Sequence, residues 1–446
     1  MKTPDVGQSG TESSGVPQLQ EAPFAARVLA FCRIHRLLVL FLGAFAVRVA
    51  FILASGPTAP PWYRGDDQEY DRIAYCLVTE HQYTNTWYPP MYPLFLALNY
   101  AVFGRSWFLA RLVQAGLGAG TCLLICRLGT KVFSERVGLV AGVLLALYPG
   151  HVFFCWRLMA EPLYILLLTW SLLVALSLIE CPRPGRAFAL GLLVGVDQLV
   201  KANLFLFPAM LVVWFAFSAR SSTNRRALSV AALITSLALA ALIQPIANFF
   251  SPAHQADVLP GNAGLGLWLG NNPQAVGSWT EADENAPAVH AFIESHGFAE
   301  KLKAADTIER EQIYRTLALS WIRENPGRFL ALMPKRLNNA FGLFPRAQVF
   351  EGNSLVRRIV YLLTYGPVAL FALGGMFLAL RRWRATSLLF VVVASYVLTV
   401  LVFFGTPRYT LLIIPELLIF ASFALLACYD YLAGSPRLPG ASEQPA

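Results

Sequence analysis

The residues best suited to chemistry lie in Gly65-Asp66-Asp67-Gln68-Glu69-Tyr70-Asp71, where four carboxylates fall within six positions. This stretch follows an apolar run, Leu37 to Ala54, and leads to an aromatic–proline segment, Trp87-Tyr88-Pro89-Pro90-Met91-Tyr92-Pro93. Ionisable groups beside a bilayer are costly and usually mark function. A carboxylate there can take a proton from an attacking hydroxyl or ligate a divalent cation. Further ionisable residues interrupt later apolar runs: His151, Arg157 and Glu161, then Lys201, then Arg408. A Lys or Arg at the membrane boundary can neutralise the phosphate of a lipid whose tail stays in the bilayer. Plainer readings compete with each. Asp67 and Asp71 read equally as solvated loop charges, and Glu161 as a carboxylate that suits a helix dipole. Lys201 and Arg408 read as side chains reaching for headgroups, and His151 as a structural histidine.

The elements that must position these residues are set by hydropathy. The chain has 446 residues, 56% of them hydrophobic and 14% charged, against about 25% charged in a soluble domain. The composition excludes a large soluble enzyme and predicts an all-α polytopic membrane protein. A span needs about 20 apolar residues, and the apolar runs give about ten transmembrane helices, with a range of about nine to twelve. Residues 1–26 are rich in Ser, Gly, Pro and Gln and read as a disordered tail without a cleavable signal peptide. A membrane module is expected over 27–249, with an acidic outer loop at 56–90 that carries interfacial helices. Met91 to Phe103 is too short to span with ease and is expected to lie along the interface or re-enter. An outer segment follows over 250–355, in which Ala286–His296 and Ile308–Arg323 show helical spacing. C-terminal helices are expected over 356–432, before a polar tail at 433–446.

Charge sets the orientation. The net charge is +9, which in a soluble protein would suggest nucleic acid. Here the basic residues fall in alternate short loops: Arg127, Lys131 and Arg136, then Arg183 and Arg186, then Arg220, Arg225 and Arg226, then Arg381, Arg382 and Arg384. The positive-inside rule puts those loops, and both termini, in the cytoplasm. All the candidate chemical residues then share the outer boundary. The seven cysteines form no CxxC pair and mostly sit inside apolar runs, as small buried hydrophobes do.

Four stretches resemble the C-type, polyprenyl-phosphate-sugar-dependent glycosyltransferases. Within them the chain is nearest the bacterial relatives of the dolichyl-phosphate-mannose–protein mannosyltransferases and of the lipid A aminoarabinose transferase. The first is Gly65-Asp66-Asp67-Gln68-Glu69-Tyr70 with Ile73-Ala74. The second is Pro89-Pro90-Met91-Tyr92-Pro93, followed by Phe103-Gly104 and Ala110-Arg111-Leu112-Val113-Gln114. The third is Leu147-Tyr148-Pro149 leading to Met159-Ala160-Glu161-Pro162, and the fourth is Leu269-Gly270-Asn271-Asn272-Pro273. Arg408-Tyr409 with Pro415 resembles the family's C-terminal pattern. The likeness covers the first seven helices well and the C-terminal third loosely.

The resemblance implies a catalytic base at Asp66, with Asp67 its competitor, and a second acid at Glu161. It implies substrate contacts from Lys201, Arg408, Tyr409, Glu69, Tyr70, Tyr92, Arg157, His151, Asn271 and Asn272. Relatives often carry Arg-Pro where this chain has Lys201-Ala202, so the cation is kept. No cofactor is certain, and a divalent cation, Mg2+ or Mn2+, shared by Asp66 and Glu161 stays open. The expected partners are a polyprenyl-phosphate-linked sugar, a lipid, glycan or protein acceptor, and membrane lipids, with no nucleic acid. The expected reaction is an inverting sugar transfer at the outer face of a bacterial inner membrane. The alternatives are a lipid-linked oligosaccharide ligase or polymerase, and a non-enzymatic flippase or permease. A permease should place ionisable groups within spans, and Asp197 is the only such residue singled out.

Overall fold

The computed structural model describes residues 35–61, 65–83, 88–218, 230–232, 234–235, 263–279, 286–343 and 355–434. The chain divides into Met1–Val39 and Leu40–Ala446, and the described part of the first is the start of helix α1. The expected tail at 1–26, most of the expected seventh span at 227–249, and the tail from 435 onward lie outside the described residues. Every regular element among the described residues is helical.

Helix α1 (Arg36–Ala54) is apolar except for Arg36 at its start and Arg48, which is fully buried. Its guanidinium donates to the carbonyls of Ala44 (2.8 Å) and Ala146 (3.3 Å) and meets His151 Nδ1 at 2.8 Å. A Cβ at Gly118 would stand 2.6 Å from both Arg48 Nε and Cys155 Sγ, so glycine leaves the room that this side chain needs. Helix α2 (Asp66–Thr79) forms within the acidic stretch itself. Asp66, Asp67 and Glu69 occupy its first turn, where carboxylates favour the helix dipole. Tyr70, Ile73, Ala74 and Leu77 recur at helical spacing and are buried. Helices α3 (Met91–Phe103) and α4 (Trp107–Val132) follow, the latter capped by the Ser106 hydroxyl.

The expected third span is broken. Helices α5 (Glu135–Leu147) and α6 (Pro149–Trp156) meet at a bend of 51°. Pro149 explains the break: it donates no backbone hydrogen bond and holds Tyr148 extended. Helix α7 (Glu161–Glu180) starts with an acid and a proline, both suited to a helix N-terminus. Helix α8 (Pro184–Val200) ends in an extended Lys201. A 3-10 turn at Ala202–Leu204 then takes up the start of the expected sixth span, leaving α9 (Phe207–Ser218) shorter than expected.

The segment expected to lie outside is helical where it is described: α10 (Ala263–Gly270), α11 (Pro287–Ser295), α12 (Ala299–Ala304), α13 (Thr307–Glu324) and α14 (Pro326–Phe341). These helices enclose a core of their own built on Trp268, Val289, Leu317, Trp321 and Leu332. Helices α15 (Leu355–Ala379) and α16 (Trp383–Val402) flank a basic 3-10 turn, Leu380–Arg382. The short α17 (Pro407–Thr410) and the buried α18 (Ile414–Leu432) close the chain.

Among the described residues five helical stretches are long and apolar enough to cross a membrane, or six if the bent pair is one span. That is fewer than the ten expected, and one cause is visible. Arg358–Val402 runs for 45 residues. At 1.5 Å per residue it is about 68 Å long, over twice a hydrocarbon core of about 30 Å.

Candidate active site

Four separate elements bring their ionisable groups to one point. Asp66 opens α2, Glu161 opens α7, Lys201 ends α8 and Arg408 lies in α17. Arg408 bridges the two acids: Nε donates to Glu161 Oε1 at 2.8 Å and Nη2 meets Asp66 Oδ2 at 2.7 Å. Lys201 Nζ donates to the same Glu161 oxygen at 2.8 Å. The Lys201 ammonium also stands 4.9 Å from the Tyr409 ring centroid, a cation–π distance. Tyr88, part of the aromatic–proline segment, donates its hydroxyl to Asp66 Oδ1 at 3.1 Å. The Tyr70 ring packs edge-on between Tyr88 and Tyr92, with centroids 5.0 and 4.7 Å away.

Charge and exposure divide the acids. Glu161 is fully buried, and its Oε2 has no hydrogen-bond partner. The Asp66 side chain keeps 31% of its surface open, so it is the more accessible of the two carboxylates. Burial alone would raise its pKa, but Arg408 and then Lys201 outweigh that and hold it below the ordinary carboxylate value. Burial pushes the Tyr70 phenol well up, reinforced by the charges on Asp66 and Glu161. Tyr70 and its neighbours therefore act as neutral walls.

Asp67 and Asp71 are not solvated loop charges. Asp67 is 1% exposed and accepts from Arg157 Nε at 2.7 Å. Asp71 accepts from Tyr100 (2.6 Å), Arg105 (2.6 Å) and Trp107 (2.9 Å). Both lie on the buried face of α2, a helical placement that a loop reading of the stretch misses. Arg157 also belongs to a brace around the site. Its carbonyl and that of Cys155 accept from Gln114 Nε2, and Gln114 Oε1 accepts from the Tyr92 hydroxyl. Arg111, one turn earlier, donates to the carbonyls of Trp156, Pro57 and Ala59 and ties α4 to the connection between α1 and α2.

The remaining candidates stand apart from the four-residue cluster. His151 faces Arg48 rather than an acid. Glu69 pairs with Arg72 on the open side of α2. Asn271 donates to the carbonyls of Leu267 and Val402 and accepts from Arg336. Asn272 donates to Trp268 O and accepts from the Gln274 amide, so both asparagines finish α10. A divalent cation between Asp66 and Glu161 does not fit this arrangement. Arg408 already bridges the two acids, and two cations balance two carboxylates. Among the described residues no group of three or more His, Cys, Asp or Glu side chains could hold a metal.

Residues 88–244 match the family of dolichyl-phosphate-mannose-protein mannosyltransferases. No curated protein matches the chain. Among solved structures, the chain resembles the archaeal oligosaccharyltransferase AglB from Archaeoglobus fulgidus in complex with an inhibitory peptide and a dolichol-phosphate. The TM-score is 0.52 at 14% identity, over 93% of this chain and 53% of that one. The same organism's oligosaccharyltransferase in complex with Zn and sulfate gives a TM-score of 0.51 at 14% identity, over 90% and 50%. ArnT from Cupriavidus metallidurans, bound to undecaprenyl phosphate, aligns at 16% identity over 92% and 80%, with a TM-score of 0.39. The chain spans about half the length of the first two. The chain thus matches a mannosyltransferase family model over about a third of its length and has a fold similar to that of an oligosaccharyltransferase, in agreement with the C-type glycosyltransferase resemblance. The family match takes in Glu161 and Lys201, and Asp66 and Arg408 lie outside it.

Proposed function

We propose that this chain transfers a sugar from a polyprenyl-phosphate donor to an acceptor hydroxyl at the outer face of a bacterial inner membrane, with inversion. One observation carries the reading: Asp66, Glu161, Lys201 and Arg408 converge from four elements into one charge-balanced layer. The family match at 88–244 supports it. So does the fold shared with an oligosaccharyltransferase that binds a dolichol-phosphate.

The chemistry follows from which groups compete. The donor phosphate takes hydrogen bonds from Lys201 and Arg408. As Arg408 turns to the phosphate, Asp66 loses its strongest cationic partner and becomes more basic. Asp66 then accepts the acceptor's proton while the acceptor oxygen bonds to the anomeric carbon from the face opposite the phosphate. The anomeric C–O bond breaks, and its electron pair leaves on the lipid phosphate, held by the two cations. Glu161, buried behind them, keeps Lys201 and Arg408 in place. No metal-dependent step is required. The acceptor is a lipid, glycan or protein hydroxyl, and both termini face the cytoplasm. Mass spectrometry of the lipid that co-purifies with the protein tests this reading. A polyprenyl phosphate or its glycoside is expected, retained by the wild type and reduced in Lys201→Gln. An absence of such lipid, together with no binding of added polyprenyl phosphate, contradicts it.

A further inference from the structure

The two oxygens of Asp66 have different partners. Oδ2 meets Arg408 Nη2 at 2.7 Å, and Oδ1 accepts from the Tyr88 hydroxyl at 3.1 Å. The partners differ in what a phosphate does to them. Arg408 is a cation shared with Glu161, and a phosphate competes for it with charge-assisted hydrogen bonds. Tyr88 is neutral. Burial and the Asp66 charge push its phenol well above the ordinary value, so it always has a proton to donate.

Tyr88 is also anchored without help from Arg408. Its carbonyl accepts from the Tyr83 hydroxyl at 3.1 Å, and its ring packs edge-on to Tyr70 with centroids 5.0 Å apart. Pro89 follows it and restricts its backbone. Tyr83 itself is 5% exposed and packs with Ile73 of α2 and Leu199 of α8, with Tyr88 and Met91 against them. The phenol is therefore held by the same two helices that carry Asp66 and lead to Lys201. A turn of Arg408 toward a phosphate leaves this anchor intact. It matters because the terminal torsion of an aspartate is broad, so a carboxylate that loses its only partner turns freely.

We propose that Tyr88 is the positioning residue of Asp66: it keeps Oδ1 hydrogen-bonded while the donor phosphate draws Arg408 from Oδ2, so the base opens through one oxygen and only after the donor has bound. This inference rests on the sugar-transfer reading. The acceptor hydroxyl then takes the place of Arg408 at Oδ2. Its O–H bond breaks and the proton passes to Oδ2. Its oxygen bonds to the anomeric carbon, and the electron pair of the broken anomeric C–O bond leaves on the lipid phosphate. Binding is thereby ordered, with the donor first and the acceptor second.

The test uses the full-length protein in detergent, with undecaprenyl phosphate as the probe. A water-soluble carbodiimide attacks protonated carboxyls, so the pH at which Asp66 labelling falls to half follows its protonation. Labelling is mapped to Asp66 by peptide fragmentation in the mass spectrometer. In the wild type, saturating undecaprenyl phosphate should raise that midpoint by about one pH unit or more, the effect of removing an arginine from an aspartate. Tyr88→Phe keeps the ring and removes the donor. It should bind undecaprenyl phosphate as the wild type does, yet raise the lipid-bound midpoint by about one further unit, roughly what a hydrogen bond to a charged group is worth. Identical lipid-bound midpoints in the two proteins overturn the role of Tyr88. A wild-type midpoint that does not rise with bound lipid overturns the opening at Oδ2, and needs no variant. A wild type that binds no undecaprenyl phosphate removes the sugar-transfer reading itself, and this inference with it.

Discussion

At the residue scale, two adjacent acids in one helical turn have separate physical roles. Asp66 is partly open and held by a cation that a phosphate can draw away. Asp67 is closed in with Arg157. Asp67→Asn breaks a buried ion pair, a change worth about 3–5 kcal/mol. It should lower the melting temperature by several degrees, and a variant as stable as wild type would remove the pair from the brace. Asp66 makes a pH prediction. Its pKa is depressed, so it stays ionised throughout the neutral range and is protonated only below the ordinary carboxylate value. The pH dependence of kcat/KM, which reports the free enzyme, should therefore show no loss from the base between about pH 5 and pH 8, where a free carboxylate is ionised. The stability that Asp66 contributes is likewise present above its unfolded pKa and lost as pH falls through the folded one. A rate that falls steeply from about pH 7 to pH 5 would point to a histidine instead. The acidic stretch announces chemistry in the sequence because its composition is out of place. Which acid faces which way is not legible there, because it depends on the start of α2.

At the element scale, the placement of Arg408 depends on the outer segment. Arg336 of α14 is fully buried and donates to the carbonyls of Leu401, Val402 and Gly270 and to Asn271 Oδ1. Gly405 N donates to Gly277 O at 3.1 Å, and Thr410 Oγ1 donates to Ala340 O at 2.7 Å. The turn that leads into Arg408 is thus clamped on both sides. A Cβ at Gly405 would run into the Arg336 carbonyl, part of the backbone of α14, which cannot swing aside. Gly405→Ala should therefore weaken polyprenyl-phosphate binding at least tenfold, about 1.4 kcal/mol, while circular dichroism stays helical. Unchanged affinity would show that the clamp does not set Arg408. The sequence predicts helices α11 and α13 from their apolar spacing. It does not predict that Asn271 ties α10 to Val402, because that partner lies 131 residues away.

At the scale of the whole molecule, the hydropathy reading gives the helical class, and the broken elements account for what it misses. Pro149 splits one expected span, and a 3-10 turn shortens another before α9. Orientation rests on the placement of basic loops, and single-cysteine labelling in intact cells checks it. Cysteines at Glu69 and Glu300 should react with a membrane-impermeant maleimide from outside, and one at Arg382 should not. Reaction of all three from one side would invert or dissolve the proposed topology. The role proposed for Asp66, the base of a sugar transfer from a lipid phosphate, is open to single-turnover transfer from a polyprenyl-phosphate sugar by purified Asp66→Asn, with donor binding measured on the same sample. Asparagine keeps the shape and removes the basicity, so transfer should slow by about 10²–10⁴ with donor binding retained. Transfer at the wild-type rate would contradict that role.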